Sequence, residues 1–319
     1  MRTQLRRILT ALTLTGALAL SACAGDDLAQ DGAGDASPSA PADKGAVTIS
    51  GQNWAEATLV ASMYDQLLTA EGYDVTVTLV GTRDVYLAAG QFPDSVQIVP
   101  EYVGGLIDYL NATDNGADAA PLTTNDPAQS IGSAQALLDA RGITLLDPSA
   151  ATDQNAFFVT KAYADKLGLT TLSDLAGKSV VLAAAPDCEG RADCEAGLRE
   201  VYGIKIKKVL PLGFASDQTY QSVLDGESQL GLTSTTDGTL AGQGLVLLAD
   251  DKGIQTAQNL IPAVSSAWIA DHPDAADALN RLMAALTTEK LTQLNGRVSV
   301  DREQPETVAK DFLTSEGLL

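Results

Sequence analysis

Histidine is nearly missing from this sequence, with His272 the single one among 319 residues, and cysteine occurs three times. Zinc sites draw their ligands from those residue types, so the composition argues against one. A Ser-His-Asp triad would have to rest on His272, which precedes Pro273 and reads as a helix start. No G-x-S-x-G, P-loop or H-E-x-x-H pattern occurs, so an enzyme is not expected, nor a cofactor. Basic residues are scarce too, 20 against 41 acidic ones, for a formal charge of −21. Nucleic acid and anionic lipid surfaces need basic patches, and this balance disfavours both. The same charge attracts cations weakly at long range, or serves only to keep the chain in solution.

Long apolar runs are confined to the first 22 residues. Met1 to Arg7 carries three arginines, Ile8 to Leu20 is uncharged, and Leu20-Ser21-Ala22-Cys23 follows. A basic stretch, a short apolar stretch and small residues before the cut describe an export signal, not a membrane span. The last four residues look like a lipobox, which makes Cys23 the lipid-modified new N-terminus and 1–22 a lipoprotein signal peptide. The protein is then held at the extracytoplasmic side of the membrane by lipid, and loss of Arg2, Arg6 and Arg7 takes its charge to −24. Residues 23–45 are mainly Ala, Gly, Asp, Ser and Pro with one leucine and no aromatic, too little apolar surface to offset ordering, and read as a flexible stalk. Cys188 and Cys194 remain, with five residues between them in an oxidising compartment, and are expected to form a disulfide.

From Val47 onward short apolar runs alternate with amphipathic stretches. VTIS (47–50), VTVTLV (75–80) and Val96 to Val99 are strand-like; Glu56 to Ala70, Thr82 to Ala89 and Gly104 to Leu110 have helical spacing. This βαβ order implies a largely parallel sheet covered by helices. A second round runs from Asp153 through Phe157 to Thr160, SVVLAA (179–184), Lys207 to Leu210 and Gln229 to Leu232, then a helix start at Thr236-Asp237-Gly238 and a strand Leu245 to Leu248. Beyond Pro262 only helices are expected: Pro273 to Leu286, Thr288 to Leu294 and Glu306 to Leu313. The fold class is α/β in two units. They either follow one another as separate domains, or the chain crosses near 150 and returns near 262 so that the helical tail completes the first unit.

Aromatic residues make up 5% of the chain, and several stand beside glycines or strand ends. Trp54 follows Gly51-Gln52-Asn53, Tyr102 precedes Gly104-Gly105, and Tyr220 opens a helix after Gly213-Phe214. Each is either core or the wall of a site, and ring faces attract cations. Arg191 sits inside the Cys188–Cys194 loop, where a cross-link would preorganise its guanidinium for a carboxylate; the alternative is a surface arginine.

The ordered segments SGQNWAEATL, VPEYVGGLIDYL, TLSDLAGKSVVLAAAPDCEGRADCEAGLREVYG, TYQSVLDGESQLGL, TSTTDG and LLADDKGIQTAQNLIPAV resemble the substrate-binding lipoproteins of osmoprotectant ABC transporters, the glycine betaine, choline and carnitine binders. The resemblance implies a two-lobed, type II-like periplasmic binding protein, each lobe a mixed, mostly parallel sheet flanked by helices. Residues 46–150 plus 263–319 would form lobe I and 151–262 lobe II. It implies a cage in which Tyr102 and Tyr220 face a quaternary ammonium, the glycines after Tyr102 let ligand approach, and Arg191 grips the ligand's carboxylate. The chain departs from the family at several places: Gly105 replaces a threonine, Asp153-Gln154-Asn155 has an amide where a tyrosine is usual, Ser234 stands where an aromatic is frequent, and Gln52 replaces a lysine. Gln52, Trp54, Asp153, Asn155 and Ser234 therefore join the candidate ligand-binding set. The implied partners are a small solute and an ABC permease with its ATPase, and the binding protein is expected to act as a monomer. The rivals are the same fold with another polar or aromatic solute, a lipid-tethered hydrolase, and an envelope lipoprotein without ligand.

Overall fold

The computed structural model describes residues 43–319. The signal peptide, Cys23 and the stalk up to residue 42 lie outside the described residues. Lys44, at the end of the expected stalk, is tied to the body by ion pairs to Glu71 (3.1 Å) and Asp274 (2.7 Å).

Strand β1 (Ala46–Gln52) alternates so that Val47 and Ile49 are buried on one face. The helix Ala55–Glu71 follows, burying Leu59, Val60, Met63, Leu67 and Leu68 at the i, i+4 spacing of one face, and stops at Gly72, whose φ of 104° closes the last turn. Strands β2 (Asp74–Val80) and β3 (Ile98–Tyr102) run parallel to β1, and the chain passes through β4 (Ile143–Leu145) before leaving this sheet. The second sheet is built from β5 (Asn155–Thr160), β6 (Ser179–Ala184), β7 (Lys205–Pro211), β8 (Leu230–Ser234) and β9 (Leu245–Leu248). Then β10 (Leu260–Ser265) returns to the first sheet, antiparallel between β3 and β4. The two orders are β2-β1-β3-β10-β4 and β7-β6-β8-β5-β9, each with one strand running against its neighbours: β10 in the first and β5 in the second. The chain thus leaves the first sheet after β4 and re-enters it at β10, with the whole second sheet between them in sequence.

The helices Pro273–Ala285, Thr288–Ser299 and Pro305–Ser315 complete the first lobe. Leu279, Leu282, Met283, Leu291, Val308 and Phe312 pack in one cluster with Val47, Ile49 and the helix Ala55–Glu71. Each such side chain removed from water contributes about 1.5–3 kcal/mol, so the tail is part of this core. The other face of the sheet is covered by Val103, Leu106, Ile107 and Leu110 with Ala134 and Leu138. In the second lobe Phe157, Leu182, Leu198, Leu230 and the disulfide of Cys188 and Cys194 share a core.

Between the lobes the two crossing segments lie side by side. Leu260 N–H donates to Ala151 O (2.9 Å) and Asp153 N–H to Gln258 O (3.0 Å), and Thr152 pairs with Asn259. Two details differ from the sequence expectations. The stretch Thr82 to Ala89 keeps one helical turn, Arg83–Tyr86, because the Arg83 guanidinium turns back to the buried Glu101 on β3 (2.9 Å). No helix starts at Thr236: Asp237 Oδ1 accepts the N–H and hydroxyl of Thr239 (2.9 and 2.6 Å) and folds the segment as an Asx turn.

Candidate functional site

Trp54 ends the loop after β1 and caps the helix Ala55–Glu71 with its backbone, so Ala55 and Glu56 form a first turn that faces the second lobe. Opposite stand Tyr220, on the helix Asp217–Leu224 started by the Ser216 hydroxyl, and the turn Ser234–Thr239 after β8. Between them is a cavity of about 490 Å³ lined by Trp54, Ala55 and Glu56, by Asp153 on the first crossing segment, and by Ala215, Tyr220, Thr233, Ser234, Thr236, Asp237, Gly238 and Thr239. Asn295 and Ser299 of the C-terminal tail close it. Ala215 holds φ at 44°, in the left-handed region that costs an alanine about 1–2 kcal/mol. Its methyl keeps that wall small.

Tyr102 lies behind this lining rather than in it. It is 6% exposed, its ring stacks on Trp54 with centroids 6.3 Å apart and planes 25° off parallel, and its hydroxyl donates to Glu56 Oε1. Burial, then the carboxyls of Glu56 and Asp153, push its phenol well above the ordinary range. Glu56 Oε2 accepts from the amide of Asn295, so both oxygens of this buried side chain are held. Asn295 also donates to Thr236 O (3.1 Å), which joins the tail helix of one lobe to the turn of the other. Across the cavity the Tyr220 hydroxyl donates to Asp237 Oδ2 (2.6 Å), a bond shared with Thr233 (2.5 Å), and its ring leans on Phe158 at 5.4 Å. Burial chiefly raises its phenol also. Asp153 takes a hydrogen bond from the Thr236 hydroxyl (3.1 Å). Burial first and Glu56 second push its carboxyl up to about 7, against the pull of the Thr236 and Ser234 hydroxyls.

Of the eight residues expected to meet a ligand, Trp54, Asp153, Tyr220 and Ser234 line the cavity and Tyr102 supports it. Gln52, at the end of β1 opposite Val80, Asn155 and Arg191 do not line it. Arg191 donates to Asp193 (2.9 Å) and Asp187 (2.8 Å), and Asn155 donates to the same Asp193 (3.0 Å), forming a polar group of their own. The glycines after Tyr102 serve packing and not ligand approach. Gly104 N–H donates to Ala257 O at 2.8 Å, and a Cβ there would come within 2.8 Å of that oxygen, so Gly104 lets β3 dock against the second crossing segment. Glu56, Asp237 and Asn295 were not singled out from sequence. Glu56 and Asp237 stand in the quoted WAEATL and TSTTDG stretches; Asn295 is marked by its place on the apolar stripe with Leu291 and Leu294.

Two α/β lobes joined by paired crossing segments, with a cavity walled by both, define a solute-binding protein. Residues 45–315 match the family described as the substrate binding domain of ABC-type glycine betaine transport system, and the chain belongs to that family. It is 28% identical over 282 residues, 85% of this chain and 88% of the other, to a glycine-betaine-binding protein of Pseudomonas aeruginosa. It is 25% identical over 273 residues, 82% of this chain and 88% of the other, to the glycine betaine-binding protein YehZ of Escherichia coli. Among solved structures, a glycine betaine/carnitine/choline ABC transporter protein superposes with a TM-score of 0.73 over 85% of this chain and 99% of its own, at 23% identity. That likeness is one of fold.

Proposed function

We propose that this protein captures a small ammonium-bearing compatible solute of the glycine betaine and choline kind between its lobes and delivers it to an ABC permease driven by a separate ATPase. The observation that carries this is the cavity itself, in which Trp54 and Glu56 of one lobe face Tyr220 and Asp237 of the other. A solute touching both walls favours the closed form by its differential contacts, which is how capture becomes a shape that a permease reads. Carboxyl groups and ring faces suit a positive head group, each ring adding about 0.5–2 kcal/mol according to desolvation.

Among the described residues no helix is long and apolar enough to cross a membrane. The sequence of residues 1–23 supports an extracytoplasmic lipoprotein anchored at Cys23. Small-angle scattering of the full chain with and without choline and glycine betaine at millimolar concentration tests the capture reading. A smaller radius of gyration on addition of a solute is expected; an unchanged radius together with no heat of binding would sink it. Loss of membrane attachment in Cys23→Ser tests the anchor.

A further inference from the structure

The charge inventory of the cavity is one-sided. Glu56, Asp153 and Asp237 all present carboxyl groups to it, and among the described residues no lysine, arginine or histidine lines it. The positive pole of the helix Ala55–Glu71 reaches the wall at Ala55, and Glu56 in that first turn offsets it. The nearby guanidiniums are occupied elsewhere, Arg83 by Glu101 and Arg191 by Asp187 and Asp193. Among the described residues no cationic side chain is placed to neutralise a solute's carboxylate.

A second observation is independent of the acidic groups. Asn295 is 8% exposed, and its Oδ1 is buried without a hydrogen-bond partner among the described residues. Its orientation is fixed chemically, because the amide nitrogen donates to two acceptors, Glu56 Oε2 and Thr236 O, and an amide oxygen in its place could donate to neither. An orphaned buried carbonyl is costly, and the side chain that carries it belongs to the cavity lining. It calls for a donor. Ring faces are meanwhile few: Tyr102 is covered by Trp54, and Tyr220 leans on Phe158. Quaternary methyl groups carry no donor and would leave the carbonyl unpaired.

We propose that the solute of this site is a carboxylate-free organic cation with an ammonium N–H, which donates to the Asn295 carbonyl and is neutralised by Asp153 and Glu56. This narrows the solute-capture reading and rests on it. The test is calorimetric titration of the full chain with three compounds of similar size: N,N-dimethylethanolamine, which is cationic with an N–H, choline, cationic without one, and the zwitterion glycine betaine. The tertiary amine is expected to bind at least tenfold more tightly than glycine betaine and more tightly than choline. Asp153→Asn, which keeps size and removes charge, is expected to cost the amine at least tenfold while circular dichroism stays unchanged. Glycine betaine matching or exceeding the amine overturns the charge assignment, and choline exceeding the amine overturns the donor assignment, while either result leaves solute capture standing. Silence from all three at 10-fold excess over millimolar protein, with no change in scattering, overturns both.

Discussion

Gly238 and Gly296 lie backbone against backbone where the turn of one lobe meets the tail helix of the other. A Cβ on Gly238 would fall 2.6 Å from Gly296 Cα and 2.7 Å from Thr292 O, whereas a Cβ on Gly296 would find its first neighbour, Gly238 O, at 3.5 Å. The contact is therefore asymmetric. Gly238→Ala is expected to push the turn that carries Asp237 away from Asn295 and weaken solute binding at least tenfold, while Gly296→Ala is expected to leave it within threefold. Calorimetry on the two variants checks this, and equal losses would remove the steric account.

Asp153 gives a pH dependence whose sign follows from its surroundings. It faces Glu56 and Asp237, the Tyr102 phenol, and the hydroxyls of Thr236 and Ser234, and burial first and Glu56 second push its carboxyl from 3.8 up to about 7 in the folded protein. The folded state holds this proton more tightly than the unfolded one, so its contribution to stability is full below 3.8 and is lost as pH rises through about 7. Asp153→Asn should therefore raise the melting temperature more at pH 8 than at pH 5. For a cationic solute the sign is opposite, since the ionised carboxyl is the one that binds. Affinity should fall by up to about tenfold per pH unit below 7, and a flat profile from pH 8 to 5.5 would exclude Asp153 from the charge contact.

Tyr102 combines packing with polarity, and two substitutions separate them. Tyr102→Ala removes a buried ring from behind Trp54 and is expected to cost about 3–5 kcal/mol of stability, read by urea unfolding. Tyr102→Phe keeps the ring but leaves Glu56 Oε1 without its donor, and should lower solute affinity with a loss of stability nearer 1–3 kcal/mol. Identical unfolding curves for the two variants would mean that the ring does not support the cavity.

The Cys188–Cys194 bridge closes a short loop, and the chain-entropy term for such a loop is about 2 kcal/mol. Replacing both by serine should lower stability by about that amount, with an additional loss from placing hydroxyls in the second-lobe core. Arg191→Ala, in the same loop, is expected to leave affinity within twofold because its charge is spent on Asp187 and Asp193. A tenfold loss would bring Arg191 back as a ligand group after closure.

The alternation of apolar runs made the strands legible: VTVTLV is β2 almost residue for residue, and the apolar stripes of the last three helices announced a buried tail. Which sheet that tail packs on was not legible from pattern, since pairing of β10 with β3 joins residues about 160 positions apart. At the site, Trp54 and Tyr220 stood out because aromatics are rare. Glu56 and Asp237 did not, because carboxylates are common in this chain and what distinguishes these two is their phenol partners, Tyr102 and Tyr220, which come from distant elements. Arg191 lies outside the cavity lining for a related reason: sequence showed a positive charge on a stapled loop, and not that Asp187, just before that loop, and Asp193 within it pair with that charge.

The paired crossing segments, held by Leu260 to Ala151 and Asp153 to Gln258, form a two-ply ribbon. Such a strip bends along one line and resists shear, so the halves approach like the covers of a book on its spine. What a bound molecule then reports to the outside is a single number, the angle at which the covers stop. Asp153 sits on that spine, so a carboxyl of the cavity wall is also attached to the part that turns.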